Sequence, residues 1–135
     1  MILVECSLFF MALSDTQRLR IVNSLCVGPL CVCHFEEIVE AEQVRVSKQL
    51  RYLKEQGIVR SERVAQWMVY SLVEPENEVL NATLTALQTD SDMADVLRGD
   101  RKRRDAIVER ISDSKCDPLE FIATQSALAG CEDAC

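Results

Sequence analysis

The feature that most constrains this chain is a change of hydrophobic period at Gly57. Before it, Val46, Leu50 and Leu53 recur at i, i+4 and i+7, a narrow buried stripe on a helix read over 44–56. Gly57 is a natural helix stop. After it the period falls to two. Trp67, Val69 and Ser71 alternate with Met68, Tyr70 and Leu72, as on a strand, and Ile58-Val59-Arg60 supplies the partner of a hairpin turning near Arg63 to Gln66.

The rest of the pattern is helical. Residues 3–12 read as a short apolar helix. Asp15 or Ser14 caps the next, with Leu19, Val22 and Cys26 on one face and Ile21 and Leu25 beside it, and Gly28-Pro29 ends it. Phe35, Ile38 and Val39 have helical spacing, and Ala41-Glu42-Gln43 makes a brief turn into the 44–56 helix. Beyond Pro75, residues 76–88 place Val79, Leu80, Leu84 and Leu87 inward. A further helix over 91–112 carries the run RGDRKRRD, read as a solvated face, as are Asp92, Asp95 and Glu109. Asp117-Pro118-Leu119-Glu120 opens a last helix that Gly130 closes. The expected fold class is mainly α with a small β-hairpin, dimeric, with a body over 1–112 and a cysteine-containing helix and tail over 113–135.

At 135 residues the chain fits one core. No apolar run reaches the roughly 20 residues of a membrane span. The opening MILVECSLFFMALSD carries Glu5 and has neither a basic leader nor a small-residue cleavage site, so it reads as a helix buried against a partner rather than a signal peptide. A cytoplasmic protein is expected. No phosphate-cradling glycine loop, nucleophile–base pair or dinucleotide fingerprint points to an enzyme.

Two short helices joined by a tight turn and followed by a hairpin make a winged helix-turn-helix. The formal net charge of −7 argues against nucleic acid, but its distribution reverses that. Between Val44 and Gln66 stand six basic residues and two acidic ones, a local +4, and charge effects are screened beyond about 10 Å. With Val46 inward, Val44, Lys48, Arg51 and Tyr52 face out. Gln43 and Arg45 lie near the helix start, where base edges are reached. Ser47, Lys48 and Arg51 suit phosphates, and Arg63 the backbone or minor groove. The expected partner is double-stranded operator DNA. The plainer alternatives are a basic surface helix or a winged module that binds only protein.

The stretches ALSDTQRLRIVNSL, LCVCHF, VRVSKQLRYLKEQGIV and WMVYSL, in that order and without large gaps, resemble the ArsR/SmtB family, in particular its arsenic-responsive repressors. The likeness covers about residues 9–72. It implies a homodimeric repressor that leaves its operator on binding an inducer. There are departures. Asp15-Thr16-Gln17-Arg18 lacks the family's proline, Glu42 replaces a small cap before the recognition helix, and Ala65 and Gln66 replace the wing's glycine and lysine.

Seven cysteines remain to be explained. An odd number argues against a fully paired disulfide framework and for free thiols. Cys31-Val32-Cys33 offers two thiols in one short segment. Trivalent arsenic and antimony are soft and prefer two or three thiolates, and cadmium and lead accept sulfur-rich sites. Regular helix geometry puts i and i+2 about 200° apart, so both sulfurs meet one ion only where the backbone is extended or distorted. No constitutive cofactor is expected. The expected inducer is As(III) or Sb(III), methylated arsenite included, with a cadmium/lead or thiol-redox response as the alternative. In arsenic-responsive relatives a third cysteine follows three positions after the second; here Glu36 stands there. Cys116 is the favoured replacement, with Cys6, Cys131 and Cys135 as other choices. Cys26 reads as core, and His34, the sole histidine, as a polar helix-start residue rather than a ligand.

Overall fold

A computed structural model of the protein describes residues 2–75, 77–89 and 95–111. The described elements run α1 (Ile2–Leu13), α2 (Thr16–Leu25), β1 (Leu30–Cys31), α3 (Val32–Ile38), α4 (Gln43–Glu55), β2 (Val59–Val64), β3 (Trp67–Leu72), α5 (Glu78–Thr89) and α6 (Asp95–Ile111). The expected helix over 117–130 and the tail cysteines lie outside the described residues.

Local chemistry sets the boundaries. Asp15, not Ser14, caps α2, accepting the Arg18 backbone N–H at 3.0 Å. Gly57 (φ 75°) ends α4 in a Schellman turn: Gly57 donates to the Lys54 carbonyl at 3.0 Å and Ile58 to Leu53 at 2.9 Å. Leu53 and Ile58, both buried, close the accompanying apolar contact. The same device ends α3, where Ala41 donates back to Glu36 at 3.3 Å. There the left-handed residue is Glu40 (φ 52°), at a cost of roughly 1 kcal/mol relative to glycine. Glu42 makes no side-chain cap on α4, as its length suggested.

The expected hairpin is present, with Val64 opposite Trp67 across a tight turn. Ala65 sits left-handed there (φ 54°), the conformation that favours glycine. The sheet is larger than expected. Leu30 and Cys31 form a third strand antiparallel to β3, giving the order β1-β3-β2 with Cys31 opposite Val69. Two residues are too few for a period to register in sequence.

Phe35, Ile38, Val46, Leu50, Leu53, Ile21 and Val22 bury completely where α2, α3 and α4 meet. A polar latch holds α4 on α2. Arg18 donates to Gln49 Oε1 (3.2 Å) and to the Ala12 carbonyl (2.8 Å), while Gln49 Nε2 donates to Gln17 (3.3 Å) and Asp15 (3.4 Å). The Arg18 guanidinium lies 4.2 Å from the Tyr52 ring centroid. Tyr52 is therefore half-buried under Arg18, not on the outer face.

Two further expectations are corrected. Val79 is exposed, while α5 buries Leu80, Leu84 and Leu87 as expected. The RGDRKRRD run is only in part a solvated face: Arg98, Lys102 and Asp105 are exposed, but the rest turns inward. Asp100 is fully buried, takes two hydrogen bonds from Arg20 (2.9 and 2.8 Å) and one from Arg103 (2.7 Å), and Arg104 is buried beside α2. Arg103 also donates to the Ile38 carbonyl at 2.7 Å, tying α6 to the end of α3. A charged run read as a string hides that residues one turn apart on a helix, here Asp100, Arg103 and Arg104, can turn inward together. Asp95 and Glu109 are exposed as expected; Asp92 lies outside the described residues.

Candidate metal centre and nucleic-acid interface

The break between β1 and α3 brings the two sulfurs together. Cys31 keeps extended backbone (φ −103°, ψ 169°) as the residue preceding α3, and Cys33 is already helical. The 200° divergence of a regular helix therefore does not apply. The Sγ atoms of Cys31 and Cys33 and a ring nitrogen of His34 lie within 4.8 Å of one another, the one such cluster among the described residues. Cys31 is buried and Cys33 exposed, so the pair has a protected side and an open one.

His34 is fixed by its first ring nitrogen. Nδ1 accepts the Cys31 backbone N–H at 3.1 Å, and Cys31 turns its sulfur back towards the His34 backbone, a capping box with imidazole and thiol in the usual Glu and Ser places. Because Nδ1 accepts, Nε2 carries the proton, and Nε2 stands 3.9 Å from Cys31 Sγ. A protonated Nε2 has no lone pair for a metal. His34 thus positions the strand-to-helix break and offers an N–H to the sulfur; the ligand atoms this arrangement presents are two thiols. The hydrogen bond that the Cys31 thiol donates to Cys33, then burial, pushes it well above its usual range. It stays protonated until an ion displaces the proton.

The other cysteines are dispersed. Cys6 lies on α1, half-buried against the core and outside the cluster. Cys26 follows the end of α2, half-buried against the same core, where burial raises its thiol to about 11 and leaves little thiolate. Cys116, Cys131 and Cys135 lie outside the described residues.

The basic face of α4 is open. Gln43, Arg45, Lys48 and Arg51 are exposed and Ser47 half-buried, while Val46, Leu50 and Leu53 point inward. Val44 is 75% exposed between them. Arg63 is exposed on β2 next to the turn, and Lys54 ties α4 to the wing by donating to Ser61 Oγ at 2.7 Å. Sequence reading missed the residues that aim this helix, Arg18 and Gln49. Their only signal was a polar position flanking the apolar stripe.

Three helices with an exposed basic third member, followed by a wing, define a winged helix-turn-helix regulator. The description "Bacterial regulatory protein, arsR family" matches residues 15–61. A transcriptional repressor SmtB homolog of Synechocystis is 40% identical over 73 residues, 54% of each chain. The arsenical resistance operon repressor of Bacillus subtilis is 35% identical over 80 residues, 58% of this chain and 76% of that protein. Among solved structures, the transcriptional repressor BigR of Xylella fastidiosa superposes with a TM-score of 0.56 at 30% identity, over 63% of this chain and 84% of that one. The chain spans about half the length of the Synechocystis relative. It belongs to the ArsR family of bacterial regulatory proteins. No described helix is long and apolar enough to cross a membrane.

Proposed function

We propose that this chain is a homodimeric DNA-binding repressor, released from its operator when a thiophilic ion bridges Cys31 and Cys33. The observation that carries the reading is the meeting of two sulfurs at the foot of α3, the helix against which α4 packs. An ion drawing Cys33 towards Cys31 pulls on both the first turn of α3 and the strand pair Cys31–Val69. Either displacement passes to α4 through the buried contacts of Phe35 and Ile38, because a close-packed core transmits small shifts.

The two-thiol set favours As(III) or Sb(III), and methylated arsenite needs no further sulfur. Inorganic arsenite would complete its set with Cys116. Gln43 and Arg45 read base edges; Ser47, Lys48, Arg51 and Arg63 hold phosphates. The dimer would use α1, whose Leu3, Val4, Phe10 and Met11 are exposed, together with exposed Val79 on α5. Cadmium or lead, or a disulfide between the same two thiols, is the alternative trigger.

A shift assay on the chain's own promoter fragment tests both halves. Binding should weaken steeply with salt, and Lys48→Ala and Arg51→Ala should each lower the salt slope by about 1. Arsenite or antimonite should release the fragment at lower concentration than cadmium, lead, zinc or peroxide. No binding at low salt would leave a protein-interaction role; release by peroxide alone would make the switch a redox one.

A further inference from the structure

Arg104 is the one charged residue of the described core with buried side-chain nitrogens that find no acceptor. It is 4% exposed, and its Nε and NH1 are buried with no hydrogen-bond partner. This contrasts with Arg20 and Arg103 nearby, which share the Asp100 carboxylate. A guanidinium keeps its charge at any working pH, so burial does not neutralise it. An unpaired buried charge is among the most costly features a core can hold. Gly28 makes room for it: a Cβ there would stand 3.1 Å from Arg104 NH2.

The guanidinium borders a cavity of about 210 Å³ between α2 and α6, lined also by Asn23, Ser24, Gln88 and Arg101. Asn23 is 4% exposed, and its Oδ1 is likewise buried without a donor. Ser24 Oγ is taken by the Arg20 carbonyl at 2.9 Å. The cavity therefore asks for an occupant that accepts from Arg104, donates to Asn23 and carries negative charge to match Arg104 and the half-buried Arg101. A carboxylate accepts but has lost its proton at neutral pH, and so has sulfate. A phosphate-like ion keeps a hydroxyl beside its charged oxygens.

We infer that the α2–α6 cavity is a binding site for a small protonated tetrahedral oxyanion, held by Arg104 and oriented by Asn23. The site is separate from the sulfur pair and stands whether or not that pair senses metals. Its occupancy would hold α6 on α2, next to the Asp100 network that reaches the end of α3.

Calorimetry on the full chain near neutral pH, titrating inorganic phosphate against sulfate at constant ionic strength, tests this. Phosphate should bind saturably and raise Tm, with sulfate weaker by about tenfold. Arg104→Met removes an unpaired buried charge, so it should fold at least as well as the parent while losing phosphate affinity by about tenfold or more. Arg104→Lys keeps charge without the fork and should fall between. No saturable binding, or equal binding in Arg104→Met, would mean an adventitious ion only or hydration of the arginine, and would overturn the assignment. So would equal affinity for sulfate. The segment joining α5 and α6 carries Asp90 and Asp92. If Asp90→Asn/Asp92→Asn gains phosphate binding that the parent lacks, the chain's own carboxylates fill the site and the free-ion assignment fails.

Discussion

Replacing Cys31 and Cys33 together by serine should leave operator affinity within about threefold of the parent, a change under roughly 1 kcal/mol, while sensitivity to arsenite falls by about a hundredfold or more. Serine keeps the size and the capping ability of the residue before α3, so the strand-to-helix break survives. It removes both soft donors. The readout is anisotropy of a labelled operator fragment against arsenite. His34→Ala separates positioning from ligation: both sulfurs remain, but the 3.1 Å bond to the Cys31 backbone and the N–H facing its sulfur are gone. Sensitivity should drop by about tenfold to a hundredfold, as when an outer-shell partner is removed. Undiminished release from the double serine variant would place the sensor elsewhere in the chain.

The divergence of i and i+2 on a helix already required a distorted backbone for the two sulfurs to meet, and Cys31 supplies it by ending a strand. That much was legible because CxC is a local pattern and helix geometry is fixed. The stripe Val46, Leu50, Leu53 and the alternation after Trp67 were legible for the same reason. What escaped was non-local. Leu30–Cys31 is a strand only because β3 lies beside it, with Leu30 facing Tyr70 from 40 residues on in sequence. Tyr52 falls on the outer side of a helical projection but is covered by Arg18 from α2. Most of all, RGDRKRRD has the composition of a solvated face, and only packing shows that Asp100 takes Arg20 from 80 residues away. Charge composition reports how many ions a segment has, not which of them are desolvated together.

Asp100→Ala should be the most destabilising single change in the described fold. Asp100 is fully buried, and its two oxygens accept three charge-assisted hydrogen bonds, two from Arg20 and one from Arg103. Removing it leaves two guanidinium groups facing each other. Arg20 is mostly buried and hydrogen-bonds no other carboxylate, with Glu40 acting on it only through its charge; Arg103, about a third exposed, retains Glu40 at 3.4 Å and the Ile38 carbonyl. The penalty for stripping one partner from a buried pair is about 3–5 kcal/mol, which for a domain of this size lowers Tm by about 10–20 °C. Asp100→Asn, which keeps an acceptor without the charge, should cost less. Arg20→Met/Asp100→Leu should recover much of the loss, since replacing a buried pair with apolar groups of similar volume is often neutral. Because Arg103 joins Asp100 to the carbonyl that ends α3, Asp100→Ala should also loosen the helix that carries the sulfur pair. Hydrogen exchange at Phe35 to Val39 would rise in that variant. A Tm within a few degrees of the parent for Asp100→Ala would show that this network is solvated rather than buried, and the inward reading of α6 would fall with it.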